Sequence, residues 1–323
     1  MRILLGIQDL AVDAPVYNPE CWLVGGLSLA EPVGVFYYPS MGVVQLLFFR
    51  APHTRVLLLS CLGCLLLWPL RGYAAPLWQE LEAGLQLASL ASSEAENTPQ
   101  IDILRIDPAL FRFSLHSVNA EKPTPLPLPA WAEQEDLVLA INASMYLPDY
   151  VTSTGYLRYG AHVNNPRIHS KFGAFFVAEP DRPDLPRAAI LDRECDPWEK
   201  HLPHYLLVAQ NYRMIDTDGK VLWLSGGPEH SIAAVGQDRQ GHILFIHCRL
   251  PMTGASFAAV LLRMPIALRS LMYVEGGSQA AMLVRCPNLR RMWIGQSSVA
   301  FLNPPASGAP LPNVLGARRR TQQ

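Results

Sequence analysis

Between residues 173 and 247 the apolar segments are short and closely spaced, and this limits the fold more than any other feature. Runs of strand character occur at Gly173–Ala178, Ala188–Leu191, Tyr205–Gln210, Lys220–Leu224, Ser231–Gln237 and His242–His247. The links Asp216-Thr217-Asp218-Gly219 and Asp238-Arg239-Gln240-Gly241 each end in Gly. A Gly there accepts the positive φ that a tight reversal demands. Parallel neighbours would need a crossover of a dozen or more residues, usually a helix. The strands do not alternate regularly with helices, so a doubly wound sheet is excluded. The predicted fold is α+β: a single domain around a mixed, mostly antiparallel sheet with two or three helices.

The flanking sequence fills in the remaining elements. Leu77, Leu81 and Leu85 fall four apart, with Trp78 on the same broad face, which predicts an amphipathic helix over 76–95. Residues Ile101–Leu115 read as two short strands around Asp107-Pro108. The run PTPLPLP at 123–129 reads as an extended connector that cannot be helical. A short helix is expected over Trp131–Asp136 and a strand over Leu137–Ile141. Residues 143–170, rich in Tyr, Gly, Asn and His, read as a long functional loop or a broken hairpin. A second main helix is expected over 255–270, with Phe257, Val260, Leu261, Met264 and Leu268 on one face. Strands Leu271–Val274 and Ala280–Val284 follow. The tail carrying Arg318-Arg319-Arg320 reads as a solvated end.

With 50% hydrophobic residues the chain is not disordered. Its 26 Lys+Arg against 27 Asp+Glu, without basic blocks, argue against a dedicated nucleic-acid partner. Arg50, His53 and Arg55 precede the apolar run Val56–Leu70, which ends in small residues at Ala74-Ala75. That is the pattern of an export signal, with cleavage after Ala74 or Ala75. Three segments follow: 1–40, outside the working protein with Met41 as the start; 41–75, the signal; and 76–323, the working domain. The expected location is exported, periplasmic or extracellular, with no stable membrane span after signal removal. Cys195, Cys248 and Cys286 then remain, enough for at most one internal disulfide.

GxGxxG, P-loop, HExxH and GxSxG motifs are all absent. His201 and His204 have a metal-like spacing, but Pro203 interrupts any helix that would aim both at one ion. His247-Cys248 end a strand on opposite faces, so a packed cysteine is the default reading. No metal site is assigned and no cofactor is expected, a divalent cation being the one alternative. Tyr273-Val274-Glu275-Gly276-Gly277-Ser278-Gln279 is more telling: a strand runs through a carboxylate into two glycines. Such a bend lets a ligand approach the backbone closely and can present N–H groups to an anion. The plainer alternative is a hairpin with an exposed Glu.

Four stretches in order resemble the phosphodiester glycosidase family. They are LVLAINA at 137–143, HSIAAVGQDRQGHILFIHC at 230–248, YVEGGSQAAM at 273–282 and PLPNVLG at 310–316. The resemblance runs over about 100–316 and looks like a bacterial exported branch. It implies a hydrolase that cleaves a sugar 1-phosphodiester at the glycosidic C1–O bond and releases a phosphate monoester. The implied partner is a sugar-phosphate or glycan substrate. Such a site must hold an anion and stabilise an oxocarbenium-like sugar.

The resemblance implies a role for each site residue. Glu275 and His230 are the catalytic candidates. Gly276 and Gly277 offer backbone donors, with Ser278 and Gln279 beside them. Asn142 and Asn211 bind sugar hydroxyls or an acetamido group, and Tyr146 or Tyr212 forms a stacking wall. Glu275 stands where the family usually has Asp, Ser278 and Gln279 where it usually has Gly and then Ser, and Ile232 where it often has an Arg. The missing Arg implies either another cation as phosphate clamp, from among His230, Arg213, Arg158 and Lys171, or a different ligand. Asp149, Asp192 and Asp216 are candidates for a second carboxylate. Two other functions fit the same residues: a non-catalytic glycan- or phosphate-binding protein, and a metal-assisted phosphodiesterase.

Overall fold

Three phenylalanines, one from each of three antiparallel sheets, meet at the centre of the molecule. Phe113 packs edge-on against Phe176, with centroids 5.5 Å apart, and against Phe245 at 6.1 Å. The structure, a computed structural model, describes residues 77–91, 99–118, 124–297 and 305–321. The export signal, Met41 and the segment 1–40 lie outside those residues.

The first sheet has six strands, in the order Gln79–Glu82, Leu85–Ala91, Gln100–Ile106, Ile243–Met252, His230–Asp238 and Leu268–Gly276. The second orders Ala188–Asp192, Ala174–Pro180, Tyr205–Asn211, Leu157–Tyr159 and His162–Asn165. The third orders Leu289–Ile294, Ala281–Cys286, Leu139–Asn142, Asn313–Arg319 and Phe111–Ser117. The period-2 alternation of each strand sends one set of side chains into the common core, among them Leu104, Val235, Leu139, Leu207 and Leu315. The opposite set meets a separate cover. Helix Gly254–Arg263 covers the first sheet through Phe257, Ala258 and Leu261. Helix Leu128–Gln134 covers the third through Leu128 and Trp131, whose Nε1 donates to the Leu311 carbonyl at 2.9 Å. With helix Trp198–His201, this is an α+β fold in which the antiparallel strands dominate.

The turns at 216–219 and 238–241 form as expected. Gly219 and Gly241 have φ of +81° and +92°. The buried Asp238 carboxylate accepts from the N–H groups of Gln240 and His242, both at 2.9 Å, and from Arg105 Nε at 2.7 Å. Residues 143–170 contain a broken hairpin, with an isolated bridge between Tyr146 and Ser153 before the paired strands Leu157–Tyr159 and His162–Asn165.

Five local expectations are corrected. Residues 79–91 form a hairpin, not a helix, because Gly84 turns the chain at φ +74° and Leu85 and Leu87 alternate into the core. Leu128 and Pro129 open a helix instead of extending the connector, since a first-turn Pro has no N–H to lose. The helix after 254 stops at Arg263, where Met264 precedes Pro265, and Leu268 already belongs to a strand. Residues 220–224 make only the single bridge between Ile215 and Val221. The tail is not a solvated end: Asn313–Arg319 is an internal strand, and Arg319 and Arg320 pair with Glu82 and Glu179. Cys248 and Cys286 are buried free thiols.

Candidate active site

Strand Leu268–Gly276 delivers Glu275 to the end of the first sheet, and its neighbours are set by the pairing with His230–Asp238. Glu275 lies opposite Ala233 and Gly276 opposite Ile232, while Ala234 faces Tyr273. Val274 is therefore the extra residue of a β-bulge, and it points into the central core. Glu275, opposite Ala233, stays on that central face, while Tyr273 and Gly276, opposite Ala234 and Ile232, lie on the other. Burial pushes the Glu275 carboxyl up to about 8, against an ordinary value of 4.5, and one hydrogen bond from the Gly276 N–H (2.9 Å) offsets this only in part. The charge of Glu275 also raises the Tyr146 and Tyr273 hydroxyls, after the larger effect of their own burial.

Tyr273 meets His230 on the opposite face of the strand. Its hydroxyl lies 3.3 Å from His230 Nε2, and the rings meet at 90°. The imidazole also bonds the Pro228 carbonyl, and burial holds its proton affinity below the usual value. A neutral ring donating to Pro228 leaves Nε2 as the acceptor for the Tyr273 hydroxyl. Gly276 permits this arrangement. A Cβ there would overlap the Tyr273 hydroxyl and come within 2.5 Å of the His230 ring. Gly277 adopts φ +63°, and no heavy atom lies within 4 Å of the place a Cβ would take, so it faces open space. A pocket of about 250 Å³ opens there, lined by Glu229, His230, Gly276, Gly277, Ser278 and Gln296.

The turn Gly277–Gln279 is held from below. Asn142 Nδ2 donates to the Gln279 carbonyl at 3.0 Å, and its Oδ1 accepts from the Ala281 N–H at 2.7 Å. His247, fully buried with its pKa lowered to about 4 by desolvation, bonds the Ala280 carbonyl through Nε2 at 3.3 Å. Gly295 donates to the same carbonyl at 2.7 Å. Replacing Asn142 by Ala strands one backbone acceptor and one donor in the interior. The expected loss is about 3 kcal/mol of stability in denaturant melts. A loss below about 1 kcal/mol would mean that the turn does not depend on this amide.

The structure brings Glu275, His230, Gly276, Gly277, Ser278 and Tyr146 into one region. Asn142 and Gln279 sit at its floor, joined to each other. The others do not line the pocket, although the Tyr212 carbonyl accepts from the Tyr273 N–H at 3.0 Å. Asn211 is buried and donates to the Ala143 carbonyl at 3.0 Å, its Oδ1 having no partner among the described residues. Tyr212 packs between Phe172 at 4.3 Å and Trp223 at 5.9 Å. Arg213 is paired with Asp192 and Glu194. Arg158 donates to the carbonyls of Leu202 and Tyr205, both at 2.8 Å. Asp149 and Asp216 are spent on turn N–H groups. Sequence reasoning misses four residues on the pocket wall, Glu229, Pro251, Gln296 and Ser297, and Tyr273 behind it. The bulge puts Tyr273 and Glu275 on opposite faces, so their i, i+2 spacing carries no signal for Tyr273.

Fold and site define an antiparallel α+β domain with a pocket lined by a left-handed glycine and His230, backed by Tyr273, next in sequence to a half-buried carboxyl. The family model for phosphodiester glycosidases matches residues 135–318, and the chain belongs to that family. Among solved structures it is similar to a hypothetical protein from Synechocystis, with 11% identity and a TM-score of 0.51. That match covers 77% of this chain and 64% of the Synechocystis chain. It is also similar to the catalytic domain of zebrafish N-acetylglucosamine-1-phosphodiester alpha-N-acetylglucosaminidase, described as auto-inhibited by its pro-peptide. There the identity is 10% and the TM-score 0.50, over 77% of this chain and 85% of that one. At such identities these likenesses concern the fold alone. No curated protein matches the chain significantly.

Proposed function

We propose that this chain is an exported hydrolase of sugar 1-phosphodiesters, acting in the periplasm or outside the cell. The observation that carries the reading is the half-buried Glu275 carboxyl, held protonated by desolvation two residues before the left-handed Gly277 that faces an open pocket. Water adds to C1 of the sugar, the C1–O bond breaks, and the oxygen departs on a phosphate monoester. A carboxyl held protonated near neutral pH does not repel the substrate's phosphodiester anion. It can also donate a proton as charge builds on the departing oxygen. Tyr273 and His230 keep a neutral hydrogen-bonded pair at the wall, and the open Gly277 backbone allows close approach of the phosphate. No helix among the described residues is long and apolar enough to cross a membrane.

The test uses a sugar 1-phosphodiester carrying a nitrophenyl group, incubated in ¹⁸O-labelled water. Cleavage at C1–O gives nitrophenyl phosphate and label on the sugar. Cleavage at P–O gives nitrophenolate or labelled phosphate, and either result would sink the reading. One observation favours the binding-protein alternative: the pocket wall carries no Lys or Arg among its described residues, because Arg213 and Arg158 are committed elsewhere. Binding of the diester without turnover by the wild-type chain would decide for that alternative.

A further inference from the structure

The third sheet carries a second concave site at the end remote from Glu275. Strand Ala281–Cys286 starts beside the Gly277 turn and ends in a pocket of about 620 Å³. At about 3.3 Å per strand residue the two ends lie roughly 16 Å apart. The lining includes Arg285, Arg290, Arg318, Arg319, Asp136 and Thr321.

Strand register gathers these guanidinium groups. Arg285 lies directly opposite Arg290, and its own N–H bonds the Val138 carbonyl. Val138 in turn donates to the Ala317 carbonyl, which places Arg318 on the far side of the same row. Arg318 itself lies opposite Arg112. Like charges directly opposite across antiparallel strands oppose pairing unless something neutralises them. The counter-charges present are too few. Glu82 neutralises Arg319, and among the described residues Asp136 is the one carboxylate in the lining. Arg112 is drawn to Glu179 at 3.5 Å. The C-terminus of helix Leu128–Gln134 adds at most about half a negative charge. The four lining arginines therefore exceed these two carboxylates by two positive charges. Arg285 Nη1 is moreover shut off from solvent with no hydrogen-bond partner among the described residues. Such an N–H without an acceptor is costly, and Arg285 reaches the pocket, where a small turn of its guanidinium would give an oxyanion a charge-assisted bond.

The geometry points to a phosphate-dianion site at Arg285, Arg290 and Arg318, separate from the Glu275 pocket. It does not depend on the hydrolase reading. The dianion can be free phosphate or the phosphate monoester of a sugar.

Calorimetric titration of the whole chain at low salt tests this, with inorganic phosphate in one arm and a hexose phosphate in the other. Wild type and the Glu275→Gln variant should bind with the same affinity. The double variant Arg285→Gln/Arg318→Gln should bind at least about tenfold more weakly, and Arg239→Gln, an exposed arginine elsewhere, should not differ from wild type. If the double variant does not fold, the exposed pair Arg290→Gln/Arg318→Gln replaces it. Tighter binding of the hexose phosphate assigns the ligand to a sugar-borne phosphate, and equal binding assigns it to free phosphate. Absence of phosphate binding, or binding that the arginine variants leave unchanged, overturns the proposal.

Discussion

Glu275→Gln should abolish turnover and, at the same time, flatten the dependence of stability on pH. If the carboxyl donates the proton that accompanies C1–O cleavage, its loss lowers kcat by about 10³-fold, within the range for a positioned acid. Wild-type turnover should also fall as the pH passes about 8, where Glu275 gives up its proton. The stability effect has a definite sign. The carboxyl titrates at about 8 in the folded chain and near 4.5 when unfolded. Below 4.5 both states hold the proton and no penalty arises. Between 4.5 and 8 the unfolded chain has released it and the folded chain has not, so stability falls by about 1.4 kcal/mol per pH unit. The variant escapes this loss and should exceed wild type by about 3 kcal/mol at pH 7, with little difference at pH 4.5. Urea melts across that range measure it. Parallel curves for the two proteins would show that Glu275 is not held protonated.

Gly295→Ala should be nearly as damaging to activity, although Gly295 touches no candidate catalytic group. A Cβ at 295 would fall on the Gly277 carbonyl oxygen and reach Ser231 Cβ at 3.0 Å. The obstruction is backbone, which cannot rotate aside as a side chain can. The turn Gly277–Gln279 must shift or the strand Leu289–Ile294 must separate from it. Expected results are a loss of about 2 kcal/mol in stability, typical of overpacking, and a fall in kcat/KM of about 10²-fold, typical of a displaced constellation. Wild-type kinetics in a folded Gly295→Ala protein would show that the turn is not part of the machinery.

The fold is legible wherever local rules and the tertiary structure agree. Turns ending in Gly219 and Gly241 announce themselves by composition, and the strands around them follow. Residues 79–91 are not legible because Leu77, Leu81 and Leu85 fit both a helical stripe and two strands joined at Gly84. The deciding term is the burial of Leu85 and Leu87 against strands distant in sequence. Pro265 does carry a stop signal for the preceding helix, and the apolar periodicity masks it. Glu275 and its glycines can be read from seven consecutive residues. The Tyr273–His230 contact cannot, since it depends on a bulge at Val274 that sets which faces meet. Nor can the commitment of Arg213 to Asp192, because residues that compete for a cation are visible only once the chain has folded. Asn142 shows the same limit, its amide being occupied by a turn that lies far along the chain.

The internal strand Asn313–Arg319 has a kinetic consequence. It separates Leu139–Asn142 from Phe111–Ser117, yet it is made after every other strand of its sheet. A growing polypeptide therefore exposes two facing unpaired edges until this strand has been made. Closure of the floor beneath the pocket waits for it to thread between them, so the Gly277–Gln279 turn should become fixed late and all at once, not in stages.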